Sequence, residues 1–150
     1  MNITRTLSFA LALSASPLLC MAQDTVRINT DHICIDISYM MPQNHTARVV
    51  NDFSLCLNGD SVVSYLPYMG RAYQPTFGHT DGLNFAQRIT KKNVRKGKKG
   101  KTIIKFSCRN EAITYDFSIE AYPEGSAYIR LVPSNADPIG YKGEWTCRPQ

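Results

Sequence analysis

The 150-residue sequence has few of the residue types and motifs on which catalytic and metal sites depend. It has three histidines, His32, His45 and His79, and no two of them stand at metal-ligand spacing with a carboxylate. Cys-x-x-Cys, His-Glu-x-x-His, a glycine-rich phosphate loop and the Gly-x-Ser-x-Gly elbow of serine hydrolases are all absent from the sequence. We therefore expect no metal and no cofactor, and the motifs predict no catalytic residues.

Long hydrophobic runs are also missing, apart from a short one at the N-terminus. Arg5 precedes the apolar segment 7–13, and small residues then lead to Ala22. This order is typical of a secretory signal peptide that is cleaved after Ala22. We expect residues 1–22 to be this signal peptide and residues 23–150 to form a single β domain, which is exported to the periplasm or secreted.

A membrane anchor and a lipid anchor are the two alternatives to cleavage at this site. The apolar segment is interrupted by serines and by Pro17, and it is shorter than the roughly 20 residues that a membrane-spanning helix needs. Cys20 offers a lipid attachment point, but the bulky Leu19 before it differs from the small residue that such processing requires. No later segment is apolar enough to cross a bilayer, so we expect no transmembrane segment in the mature chain.

Charge is scarce and unevenly distributed. Charged residues make up 19% of the sequence, and the formal net charge is +5, yet the chain without its basic segment 91–101 is negatively charged. Glycines between the lysines favour a solvated loop joining two strands, with an anionic surface or acidic glycan as the alternative reading of the same charges. Aromatic residues are not interleaved with the charges, so we expect no nucleic-acid binding. The candidate polyanion contacts are Lys91, Lys92, Arg95, Lys96, Lys98, Lys99 and Lys101.

Alternation of apolar and polar residues predicts strands. In residues 32–40, three isoleucines and Tyr39 share one face, and residues 48–57 repeat the pattern after a turn. Folding the two segments into a hairpin with their apolar faces aligned sets Cys34 directly opposite Cys56 on the outer face. Because exported proteins retain disulfides, we predict a Cys34–Cys56 bond.

Six further strands are expected, separated by short turns, of which Asn58-Gly59 is the clearest. In the hairpin that follows the basic segment, the apolar pattern places Phe106 opposite Tyr115. No segment has a helical apolar stripe, so about eight strands predict an all-β, single antiparallel domain, sandwich or barrel-like. The six strands are expected at residues 61–68, 83–90, 102–108, 112–121, 126–133 and 139–147.

Two further cysteines of the mature chain, Cys108 and Cys147, remain, and there are arguments for and against a bond between them. An even number of cysteines favours a Cys108–Cys147 bond, and both side chains are expected to project inward. In a flat meander, however, their strands are about 14 Å apart, at three steps of about 4.8 Å. Giving more weight to the geometry, we expect no bond between Cys108 and Cys147.

A tyrosine-rich segment supplies the candidate ligand-binding residues. Its aromatic rings and a guanidinium would form a stacking platform for a sugar ring or a peptide. Alternatively, Pro67 and Gly70 shape a bend, and the tyrosines cap the open end of the β core. His79 and Asp81 in the same loop are the sole support for a small exported hydrolase. The candidate binding residues are Tyr65, Tyr68, Arg71 and Tyr73.

The segment Ser64–Tyr73 also carries a family resemblance, together with the weaker motifs Tyr39–Pro42, Gly82–Phe85 and Ile139–Gly143. Over roughly residues 25–147, the sequence resembles the small secreted bacterial proteins of the Bacteroides type that are grouped as domain of unknown function 4251. The resemblance implies export and one β-rich domain, and it transfers no activity or catalytic residues. The long basic loop and the four mature cysteines depart from the family pattern.

From these observations we expect an exported non-catalytic domain that binds a glycan, a peptide or an envelope protein. The alternatives are the small hydrolase and a protein that adheres to an anionic surface through its basic loop.

Overall fold

The structure, a computed structural model, describes residues 27–70 and 83–147. Eight strands follow one another as an antiparallel meander, and the last strand pairs with the first, so that the sheet closes into a barrel. The predicted all-β antiparallel domain is confirmed, and its architecture is the barrel. The strands are β1 (His32–Pro42), β2 (Arg48–Asn58), β3 (Ser61–Leu66), β4 (Leu83–Lys96), β5 (Thr102–Asn110), β6 (Ile113–Ala121), β7 (Ser126–Pro133) and β8 (Ile139–Cys147).

The β1–β2 hairpin has the register that its apolar pattern predicts. Ile33 lies opposite Leu57, and Cys34 lies opposite Cys56. The two cysteines form a disulfide, as predicted. Gly59 follows β2 with a φ of 59°, a conformation that glycine adopts without steric cost, so the predicted turn is also confirmed.

A β-bulge in β1 changes the face of the residues that follow Ile37. The register of β1 with both of its neighbours shifts between Ile37 and Tyr39. An extra residue reverses the alternation of side chains, so Tyr39 is 46% exposed whereas Met40 is buried. The prediction that Tyr39 faces the core is wrong, because it assumed an uninterrupted strand.

The β5–β6 hairpin differs from its predicted register by two residues. Its turn includes Glu111, which has a φ of 56°, and it brings Asn110 opposite Ile113. Tyr115 therefore lies opposite Cys108 rather than opposite Phe106. A shift of two residues leaves the same side chains inside the barrel, so the apolar pattern alone could not distinguish the two registers.

The thiols of Cys108 and Cys147 are both free. Cys108 is buried, as expected, and its burial raises the pKa of its thiol to about 11. Cys147 is exposed, which contradicts the expectation that it projects into the core. It is the last residue of β8, and solvent reaches both faces of a sheet where a strand ends.

Side chains from all eight strands fill the interior of the barrel, and its two ends differ in character. The end that carries Pro67–Gly70 is called here the tyrosine end. The opposite end carries the turn Gly97–Lys101, together with the chain entry at residues 27–31, and is called the basic end. Tyr141 on β8 is fully buried between the two.

Candidate functional site

Most of the basic segment belongs to a strand. β4 continues to Lys96 and pairs with β5 along this stretch, beginning with Lys91 opposite Ser107. Only Gly97–Lys101 form the turn, which contains a short 3₁₀ element. The prediction of a strand that ends at Thr90, followed by a loop over residues 91–101, is therefore wrong. Pairing with β5 provides the strand with backbone hydrogen bonds that outweigh the weak β propensity of lysine.

A second β-bulge distributes the basic side chains over both faces of the sheet. The register of β4 shifts between Ile89 and Lys91. Lys92 then lies opposite the core residue Phe106, on the inner face, and it is only half-buried because β4 is near the basic end there. The basic side chains of this segment thus form two sets, one on the inner face of the sheet and one on the outer face.

Lys92 fastens the chain entry to the barrel. Its Nζ donates to Asp31 Oδ1 at 2.7 Å and to the Thr30 carbonyl oxygen at 3.1 Å. The hydrogen bond from Lys92 holds the pKa of the Asp31 carboxyl below its usual value. Lys92 therefore has a structural role at the basic end.

Two further lysines are engaged at the same end. Lys101 Nζ lies 3.1 Å from Glu120 Oε2, and its hydrogen bond lowers the pKa of that carboxyl, to which Tyr122 also donates. Lys96 Nζ donates to the buried Thr102 hydroxyl at 2.9 Å. With Lys92, these contacts occupy three of the seven candidate polyanion residues.

A shallow groove of about 510 Å³ crosses the outer face of β4, β5, β6 and β7. The strand register arranges its outward side chains in two rows, each with one residue from each strand. The first row is Asn93, Lys105, Ser118 and Arg130, and the second is Lys91, Ser107, Asp116 and Val132.

The groove is positively charged. Lys91, Lys105 and Arg130 are exposed, and none of them forms an ion pair within the ranges that the structure describes. Asp116, the single carboxylate of the lining, accepts a hydrogen bond from the Ser107 hydroxyl. Sequence reasoning missed Lys105 and Arg130 because they lie outside the basic segment. The alternating pattern of β5 and β7, which places both side chains on the outer face, is the sequence feature that could have identified them.

The candidate residue Tyr68 belongs to a cover over the tyrosine end. Its hydroxyl donates to the Asp137 carbonyl oxygen at 3.0 Å, and its half-buried ring packs against the core. The Tyr141 hydroxyl donates to the Pro67 carbonyl oxygen at 2.7 Å, so the segment is held from below as well. A Cβ at Gly70 would lie 2.8 Å from the Tyr68 ring carbon Cζ, so a larger residue there would have to displace the Tyr68 ring from its contacts.

Tyr65 has different surroundings from Tyr68. It projects from the outer face of β3, is 48% exposed, and stacks on Phe53 with the ring centroids 5.4 Å apart. The other candidates of this segment, Arg71 and Tyr73, lie outside the described residues, as do His79 and Asp81 of the hydrolase alternative. The structure therefore does not bring Tyr65 and Tyr68 together as one platform.

The motifs that carry the family resemblance meet at the tyrosine end. Tyr39–Pro42 pairs with Ile139–Lys142 where β1 and β8 close the barrel. Leu66 lies opposite Leu83, and the hydrogen bond from Tyr141 to Pro67 links the two pairs of motifs. These contacts explain the motifs as the parts that close and cover the barrel.

Metal-ligating side chains do not cluster in residues 27–70 and 83–147, where no three of His, Cys, Asp and Glu are placed to hold an ion. His32 Nδ1 lies 3.0 Å from Asn58 Oδ1 in a surface hydrogen bond. Over the same ranges, the structure contains no helix of the length and apolar character that a membrane span requires.

The architecture defines the class of protein: a closed, eight-stranded antiparallel barrel with a filled interior and a basic groove on its outer face. Residues 21–145 match the family model described as "Domain of unknown function (DUF4251)". The chain belongs to this family, as its sequence motifs predict.

A solved structure shares the fold. It is the crystal structure, at 1.95 Å resolution, of a DUF4251 family protein from Bacteroides eggerthii DSM 20697. The similarity has a TM-score of 0.60 at 12% sequence identity, and it covers 78% of this chain and 80% of that chain. No curated protein matches the sequence.

Proposed function

We propose that the protein is an exported, non-catalytic domain that binds an anionic polysaccharide along the outer face of β4–β7. The observation that carries the proposal is the groove in which Lys91, Lys105 and Arg130 are exposed and form no described ion pair. Export is supported by the N-terminal sequence, since residues 1–22 have the order of charge, apolar run and small residues of a secretory signal.

The spacing of the cations suits a chain with regularly placed anionic groups. Neighbouring strands are about 4.8 Å apart, so Lys105 on β5 and Arg130 on β7 are separated by about 10 Å. The guanidinium of Arg130 can bind a carboxylate or sulfate through two parallel hydrogen bonds. Ser118 lies between the two cations and Asn93 beside Lys105, and both can hydrogen-bond to sugar hydroxyls. The row therefore combines charge recognition with hydroxyl recognition.

The shape of the groove favours a polymer over a small molecule. It is a shallow depression on an exposed sheet, whereas small-molecule sites are concave and bury most of their ligand. At such an exposed site each charged contact contributes about 1 kcal/mol and is screened by salt. We expect an affinity that depends on several contacts acting together.

Binding to polygalacturonate and heparin tests the proposal, with neutral dextran as the ligand control. The double variant Lys105→Gln/Arg130→Gln should bind about thirty- to a hundredfold more weakly, because it loses two charged contacts of about 1 to 1.4 kcal/mol each. Arg48→Gln is the matched control, since Arg48 is an exposed arginine on β2, away from the groove. Calorimetry at several salt concentrations should also show a smaller salt dependence for the double variant.

A second variant separates the groove from the turn. Lys98→Ser/Lys99→Ser removes two exposed lysines of the 3₁₀ turn and leaves the groove intact. If the turn variant loses binding while the groove variant retains it, the groove is not the site. Absence of binding to both polyanions by the unaltered protein would also refute the proposal.

A further inference from the structure

Strand β4 extends well beyond its neighbour β3. β4 has 14 residues and β3 has six. The β3–β4 ladder ends where Arg88 lies opposite Ser61, followed by one hydrogen bond of 2.7 Å from the Ile89 amide to the Asp60 carbonyl oxygen. In the part of the chain that the structure describes, residues Lys91–Lys96 pair with β5 alone. This stretch is called here the β4 edge.

The β4 edge leaves backbone groups available on the side of the strand that faces away from β5. In an antiparallel strand, alternate residues direct their N–H and C=O groups toward one neighbour and then the other. About half of the backbone groups of Lys91–Lys96 therefore point away from β5. Such a row of groups is a template for the addition of another strand.

The side chains of the β4 edge select which strand can be added. Four of its six residues are basic, and the adjoining turn adds Lys98 and Lys99. Lys92 is neutralised by Asp31, whereas Lys91 and Arg95 form no ion pair with a described residue. Positive charge on an edge strand repels a second copy of the same edge and attracts an acidic segment.

We propose that the β4 edge binds an extended acidic peptide segment as an added strand. At about 3.3 Å per residue, an edge of six residues accommodates about six residues of peptide. Backbone hydrogen bonds to β4 would supply affinity, and glutamate or aspartate side chains would contact Lys91, Arg95 and the turn. The proposal shares Lys91 with the polysaccharide groove, but it does not depend on Lys105 or Arg130, because it uses backbone groups of β4 rather than the outward side chains of β5 and β7.

A labelled octapeptide in which glutamate alternates with valine and threonine is the probe, measured by fluorescence anisotropy with the full-length protein. Its analogue carries N-methyl groups on two adjacent central residues, so that both edges of the peptide lose a donor while all charges remain. We expect the analogue to bind at least tenfold more weakly, and a lysine counterpart of the peptide not to bind. Equal binding of the methylated and unmethylated peptides would overturn the proposal.

Amide hydrogen exchange locates the contact. Peptide binding should slow exchange at alternate amides of Lys91–Lys96 by at least tenfold, because those amides become hydrogen-bonded donors. Binding without this protection, or the same protection produced by heparin, would show that charge alone is recognised and would overturn the proposal.

Variants then separate the β4 edge from the groove. Arg95→Glu/Lys98→Glu should weaken peptide binding at least tenfold, whereas Arg48→Glu on β2 should change it less than twofold. Lys105→Gln/Arg130→Gln should also leave peptide affinity within twofold, so a failure of the polysaccharide proposal does not affect this one. Loss of peptide binding in that groove variant would assign the peptide to the groove and overturn the edge proposal.

Discussion

Replacing Gly143 by alanine tests how β8 closes the barrel against β1. Gly143 lies opposite Ile37 of β1 and is buried. A Cβ on Gly143 would lie 2.8 Å from the Asp36 carbonyl carbon and 3.1 Å from the Ile37 Cα, and it would overlap the Asp36 carbonyl oxygen. All three atoms belong to the backbone of β1. No rotamer change can relieve the overlap, so the two strands must separate.

The expected loss in the free energy of unfolding follows from this geometry. Adding a methyl group to a packed interior typically costs about 1–3 kcal/mol, and we place Gly143→Ala at about 3 kcal/mol because backbone must move. Gly140→Ala is the matched control on the same strand. Its Cβ would lie 2.9 Å from the hydroxyl of Tyr128, the far end of a flexible side chain that can turn away. We expect this control to cost less than about 1 kcal/mol.

Urea unfolding measures both variants. Trp145 is the single tryptophan and is half-buried on β8, so its fluorescence reports on the strand in question. A loss of about 3 kcal/mol corresponds to a fall in Tm of about 10 °C for a domain of this size. If Gly143→Ala unfolds at the same urea concentration as Gly140→Ala, the close approach of β8 to β1 is refuted.

Two further predictions concern the disulfide and the tyrosines. Cys34→Ala/Cys56→Ala should lower the free energy of unfolding by about 3.4 kcal/mol, the chain-entropy value for a bond with a sequence separation of 22. Reductant should bring the unaltered protein to the same urea midpoint, and an unchanged midpoint in the variant would contradict the prediction. Tyr68→Ala should cost about 2–3 kcal/mol, because its ring is half-buried and its hydroxyl is bonded, whereas Tyr65→Ala should cost less than about 1 kcal/mol. Thermal unfolding compares the pair, and equal losses would show that Tyr68 does not help to cover the barrel.

The parts of the fold that sequence could predict are those decided by neighbouring residues. The β1–β2 register follows from the apolar faces of residues 32–40 and 48–57 and the turn between them, and it determines the pairing of Cys34 with Cys56. In the β6–β7 hairpin, the apolar pattern and the turn likewise place Ile119 opposite Ile129. In each hairpin, the turn chemistry and the apolar pattern agree on one register.

The bulges and the closing pair of strands depend on distant parts of the chain. The bulge after Ile37 arises where β1 must fit both β2 and β8, and nothing in the local pattern marks it. The continuation of β4 to Lys96 likewise depends on pairing with β5, because lysine alone has little preference for a strand.

The candidate site likewise has features that the sequence predicts and features that depend on distant parts of the chain. The charge of the basic segment was evident from the sequence, but its separation into engaged and exposed side chains was not. That separation depends on the bulge between Ile89 and Lys91 and on contacts such as that of Lys92 with Asp31. Lys105 and Arg130 become neighbours of the segment only through the order of the strands in the sheet.

The pairing of β1 with β8 also has a consequence for when the protein can fold. The hairpins can form one after another as the chain emerges, but the barrel cannot close until its last strand is available. Contacts between residues so distant in sequence slow folding, because the loop between them must be ordered first. The proposed export would gain from this delay, since an incomplete barrel stays open and compatible with transport. Joining β8 to β1 through a short linker and opening the chain at Asn58-Gly59 would make β2 and β3 the closing pair instead, so the barrel would still wait for its last strand.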